Sequence, residues 1–129
     1  MIGELRHLEA VQMKSESGEF LSLYRSFSDF AGTESLLVHH ETLLPGQRAS
    51  APHYHSQKEE ITIVLAGEPS VWIEGELYAL EPGDFVGFTT KTPRAHMLIN
   101  TSDEPAAILT IGTSPADDVT TFVEVNQTI

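Results

Sequence analysis

The chain of 129 residues contains no cysteine, so disulfides and thiolate metal ligands are both excluded. Basic residues are scarce. Seven Lys and Arg stand against 19 Asp and Glu, a formal net charge of −12. Nucleic-acid affinity rests on cations that neutralise phosphates, and anionic membrane surfaces attract the same groups, so neither is an expected partner. No apolar run is long enough for a membrane helix. The first residues, Met1 to His7, lack the basic-then-apolar shape of a secretory leader, and a cytoplasmic protein is expected. Internal repeats and low-complexity tracts are also missing, and the length suits one domain.

What is present is a regular alternation of short β-type runs and turns. Turn signals recur at Pro45-Gly46, Gly67-Glu68-Pro69, Gly75, Pro82-Gly83, Asp103-Glu104-Pro105 and Gly112 to Pro115. Between them lie runs rich in Val, Ile, Leu, Thr and aromatics. These sit near 20–27, 34–44, 60–66, 70–74, 77–80, 84–88, 95–100, 106–112 and 119–125. Many short strands at this spacing predict an all-β sandwich or barrel. Gly75 reads as a hairpin tip. Helix is weakly signalled, with a turn or two expected over Leu5 to Met13. Trp72, Phe85 and Phe88 read as core or strand-packing residues.

One constellation carries chemistry. Pro52-His53-Tyr54-His55 is followed by Glu59-Glu60, and Gly83-Asp84 runs on to His96 and Asn100. In an extended strand His53 and His55 share a face, their Cα atoms ~6.6 Å apart, while Tyr54 points away. Two such imidazoles can reach one ion. A carboxylate returns to the site if Ser56-Gln57-Lys58 turns, and His96 must arrive from a neighbouring strand. Three histidines and one carboxylate leave open positions on a six-coordinate ion, a donor set suited to iron, manganese, nickel, cobalt or zinc.

These two segments resemble the paired motifs of the cupin family. The first motif maps onto Gly46, His53, His55, Glu60 and Gly67. The six-residue spacer Ile61 to Ala66 selects Glu60 over Glu59. The second maps onto Gly83-Asp84, His96 and Asn100, with Thr89 to Ala95 replacing, and lengthening, the family's Pro-x-Gly turn. The resemblance is firm over about residues 35 to 112. It implies a double-stranded β-helix, or jelly-roll barrel, over residues 35–129, with 1–34 as N-terminal strands or an arm. It also implies His53, His55, Glu60 and His96 as ligands of one divalent first-row metal, with Asn100 as a structural partner. The expected function is a small metal-dependent enzyme on a small organic molecule, of dioxygenase, isomerase or lyase type. The alternative is a non-catalytic ligand-binding or sensor barrel working with a partner. A storage barrel is the third reading.

Three further expectations concern the surroundings. Arg48, Lys91 and Arg94 lie beside the motifs and could form a positive mouth for an anionic small molecule, although a solvated rim is the plainer reading. Of His39 and His40 only one can face inward, where it could line the cavity, although an ordinary edge or surface histidine is the plainer reading. If Glu60 points inward, Ile61, Ile63 and Leu65 form an outward apolar strip that needs a cover, and a homodimer is expected.

Overall fold

The structure, a computed structural model, describes residues 1–123. Its eleven described strands are β1 (Val11–Lys14), β2 (Phe20–Ser26), β3 (Leu36–Leu43), β4 (His53–His55), β5 (Glu60–Ala66), β6 (Ser70–Ile73), β7 (Glu76–Ala79), β8 (Phe85–Phe88), β9 (His96–Ile99), β10 (Ala106–Thr113) and β11 (Thr120–Phe122). One sheet has the order β1-β2-β3-β10-β5-β8, and the other β11-β4-β9-β6-β7. All pairings are antiparallel. The expected jelly-roll architecture is therefore present, and β1 and β2 extend the same sheet as β3.

Alternation decides which side chains meet between the sheets. On β10, Ala106, Ile108 and Thr110 are buried while Ala107, Leu109 and Ile111 are only partly so. Leu43, Val64, Val71, Leu98, Ala106 and Ile108 form the shared core. On β5 the same rule buries Thr62 and Val64 and turns Ile61 and Leu65 out, at 47% and 46% exposure. The outward apolar strip read from the sequence is thus real. The opposite face of the second sheet carries Trp72, Ala95, Met97 and Ile99, against which Tyr54 packs, away from its flanking histidines.

The turns behave as their residues dictate. Glu74-Gly75 joins β6 to β7 with both residues at positive φ, the two-residue geometry that matches strand twist. Asn100, fully buried, donates to Leu43 O and Glu104 O at 2.9 and 2.8 Å. Its own oxygen accepts from Ser102 N and Ser102 Oγ. It fastens the turns on either side of the core, the structural role the family motif implies.

Two expectations are corrected. The segment Leu5 to Met13 is not helical beyond a single 3₁₀ turn at Leu5–His7; its end is β1, paired to β2. Sheet pairing, with Gln12 Nε2 donating to Leu21 O at 3.0 Å, overrides weak local helix preference. The described α-helix, α1 (Phe27–Ala31), was not anticipated. Ser26 caps its start and Gly32, at φ 77°, ends it. Phe85 is the second correction. It is 70% exposed, because it shares the outer face of the edge strand β8 with its register partner Ile63.

Candidate metal centre

β4, β5 and β9 bring the motif residues to one end of the space between the sheets. His53 pairs with His96 across β4 and β9. Glu60 opens β5, after a connection held by Asp118, whose Oδ1 accepts from Gln57 N and Lys58 N at 2.8 and 2.9 Å. His53, Glu60 and His96 each offer a donor atom, and these atoms lie within 4.8 Å of one another. His55 adjoins this group, its Nε2 3.1 Å from Glu60 Oε1.

The outer nitrogens settle how the rings are presented. His53 Nδ1 donates to Ala51 O at 2.9 Å and His96 Nδ1 to Arg94 O at 2.8 Å. His55 Nδ1 donates to Asp118 Oδ2 at 2.8 Å. All three therefore turn Nε2 inward, His53 and His96 with the proton on Nδ1, and His55 between two carboxylates, Asp118 at Nδ1 and Glu60 at Nε2. Phe88 stacks on His96 at 3.5 Å between centroids and 7° between planes. The lengthened loop from Thr89 to Ala95 does not misdirect His96, because Glu74 N donates to Ala95 O at 3.1 Å just before β9 begins.

The electrostatics suit a cation. Burial pushes the His96 imidazole down to about 4, against the opposing pull of Arg94 O, and burial lowers His53 likewise. Both are then neutral near pH 7, the form that binds metal. Burial acts to raise the Glu60 carboxyl, but the hydrogen bond from His55 and the Lys58 charge outweigh it and bring it to about 2. His55 is raised, first by Glu60, with burial opposing and Asp118 assisting. Imidazole nitrogens with one carboxylate oxygen fit a divalent first-row ion.

The site opens on a cavity of about 220 Å³. Lys58 lines it and lies 3.9 Å from Glu60 Oε2. Arg48, Lys91 and Arg94 do not line it. The Arg48 guanidinium is held by Glu19 through two bonds of 2.8 Å, and Lys91 and Arg94 are exposed on the loop before β9. For the histidine pair the alternation holds, one facing inward, and the preferred reading of an ordinary edge or surface histidine is corrected. His39 lines the cavity with Tyr24 and Glu41, while His40 is buried on the other face of β3. Asp118 was missed altogether. It follows an unremarkable loop, and only the pairing of β11 with β4 brings it to His55.

Sheet order and interior alternation define a jelly-roll β-barrel, with a histidine-carboxylate group at its mouth that could hold a metal ion. Residues 39–112, more than half of the chain, match the cupin domain family, and the chain belongs to it. A sugar phosphate isomerase of the cupin superfamily from Silicibacter pomeroyi superposes with a TM-score of 0.84 at 23% identity, over 95% of this chain and 82% of that one. A candidate sugar phosphate isomerase from Acidithiobacillus ferrooxidans gives 0.83 at 26%, over 91% and 75%. A polyketide cyclase from Streptomyces resistomycificus gives 0.77 at 15%, over 98% and 87%. No curated protein matches the sequence.

Proposed function

We propose that this cupin is a metal-dependent enzyme acting on a small organic molecule, with His53, His55, Glu60 and His96 as ligands of one divalent first-row ion. The observation that carries the reading is the set of three imidazoles anchored through Nδ1 and turned inward through Nε2, beside a carboxylate held ionised. A barrel needing only structural histidines has no use for that uniform presentation. When bound, the ion would supply Lewis-acid polarisation of a ligand oxygen. The chain itself supplies the rest. Phe88 fixes the His96 ring plane, Asp118 fixes His55, and Lys58 places a positive charge beside the ligand. The cavity lies below the usual range for drug-sized ligands and suits a molecule of few carbon atoms. Among dioxygenase, isomerase and lyase chemistry, the isomerase name borne by the relative at 26% identity favours isomerisation.

Elemental analysis tests the assignment. Protein purified without chelator, or reconstituted with iron, manganese, nickel, cobalt or zinc, should hold near one ion per chain, and His96→Ala should lose it. No retention of any of the five would overturn the reading. No helix among the described residues is long and apolar enough to cross a membrane, and a cytoplasmic setting fits the lack of cysteine. The proposal includes a homodimer, a second copy covering the strip of Ile61, Leu65 and Phe85. A monomer mass at micromolar concentration in sedimentation would count against it.

A further inference from the structure

Facing the metal group across the cavity is a second set of polar side chains that the metal assignment does not use. His39 Nε2 donates to Glu41 Oε1 at 2.9 Å. Ser22 Oγ, fully buried, donates to the other Glu41 oxygen. The Tyr24 ring lies 4.7 Å from the His39 ring, tilted by 32°. These contacts fix the imidazole and leave Nδ1 as the nitrogen available to a ligand. With Nε2 carrying its proton toward a carboxylate, Nδ1 is an acceptor, and the carboxylate stabilises the imidazolium formed when Nδ1 takes a proton. A base oriented by a buried, hydrogen-bonded carboxylate is the arrangement general-base catalysis requires.

The register sets the distance. His39 pairs with Thr110, which pairs with Thr62, two residues along β5 from Glu60. The dyad therefore stands two strands across from Glu60, ~9.6 Å, and one same-face step along, ~6.6 Å. Between them Thr62 Oγ1 and Thr110 Oγ1 share a hydrogen bond of 2.9 Å and make a polar floor. A ligand a few atoms long, with one oxygen at the metal group, brings its neighbouring carbon toward His39. A structural histidine would need neither the cavity nor a carboxylate locked from behind by Ser22.

We infer that His39 is a catalytic proton acceptor and donor, with Glu41 as its positioning residue, and that the substrate is an α-hydroxycarbonyl compound. This rests on the metal-dependent reading above. The C–H proton beside the carbonyl passes to His39 Nδ1. The C–H electron pair becomes the C=C bond of an enediolate, and the carbonyl π pair moves onto oxygen. While it is held on His39 the proton exchanges with solvent, a proton from His39 Nδ1 is then delivered to either carbon of the enediolate, and one proton passes between the two ligand oxygens. Aldehyde and ketone forms interconvert with no oxidant or reductant.

The test uses manganese-loaded protein in D₂O with glyceraldehyde, ribose, fructose and their terminal phosphate esters, and reads exchange of the C–H beside the carbonyl by proton NMR. Wild type should exchange at least one of them. His39→Ala should lose about 100-fold or more at unchanged metal content, and added imidazole should restore part of the rate. His39→Gln, closer in size, stands in if the alanine variant does not fold. Glu41→Gln should lower exchange while its metal content stays at the wild-type level. In zinc-loaded protein the His39 Nδ1 signal in ¹⁵N NMR should shift on adding glycolohydroxamate, a planar enediolate mimic. Exchange unaffected by loss of His39, no exchange on any compound by metal-loaded wild type, or an unmoved Nδ1 signal would each overturn the inference. Failure of wild type to hold metal would instead overturn the reading beneath it.

Discussion

Asp118 does two separable jobs with its two oxygens. Oδ1 accepts from the backbone at Gln57 and Lys58, and Oδ2 accepts from His55 Nδ1. Asp118→Asn keeps a carbonyl oxygen for the first task and removes the charge from the second. Metal affinity should fall about 10–100-fold with little change in thermal stability, which competition against a chelator would measure. Residues differ sharply in how far sequence alone reveals them. The convergence of His53, Glu60 and His96, with His55 beside Glu60, was legible in strand alternation and motif spacing. Asn100 was legible through its motif position. Asp118 was not, since its role comes from partners far along the chain, and alternation said that one of His39 and His40 faces inward without saying which. The basic residues fit the plainer of their two readings, a rim outside the cavity. Proximity to a motif in sequence does not place a side chain in the cavity, and Glu19 had already claimed Arg48.

At the level of elements, turns carry more information than strands. Gly67 ends β5 at φ 78°, where any Cβ would stand 2.6 Å from Pro105 O and 2.7 Å from Ala106 Cα. Both obstacles are backbone and cannot swing aside. Gly67→Ala should therefore cost about 2–4 kcal/mol. Urea unfolding should show it as a lower midpoint at unchanged slope. Most strands could be read from runs between Pro and Gly signals, which is why β2, β3 and β5 to β10 fell close to expectation. β1 escaped because its pattern is exposed throughout and its stability comes from pairing with β2. The short helix α1 escaped because a five-residue segment has too little periodicity to announce itself.

For the whole molecule, buried histidines make metal-free protein sensitive to acid. His96 sits at about 4 in the fold against 6.5 in a free chain, so the unfolded state binds the extra proton as pH falls between those values. The His96 contribution to the stability of chelated protein should therefore be full above about 6.5 and decline toward 4, while His55, raised by Glu60 and Asp118, contributes in the opposite sense, its share being lost as pH rises. His53 acts in the same direction as His96, and Glu60, held near 2, adds a further loss below 4.5. Melting temperatures across that range should flatten in His96→Gln; an equally steep decline would assign the sensitivity elsewhere.

The pairing of β11 with β4 sets Thr120 opposite His55 and Phe122 opposite His53. The strand presenting His53 and His55, two of the proposed ligands, is thus clamped by the last described strand, and His55 is held by Asp118 just before it. By reciprocity, whatever binds between the ligands tightens that clamp, and whatever loosens the clamp weakens binding by the same factor. Amide hydrogens of residues 118 to 122 should accordingly exchange faster after chelation than before it, making this outer strand a remote gauge of the ion's occupancy.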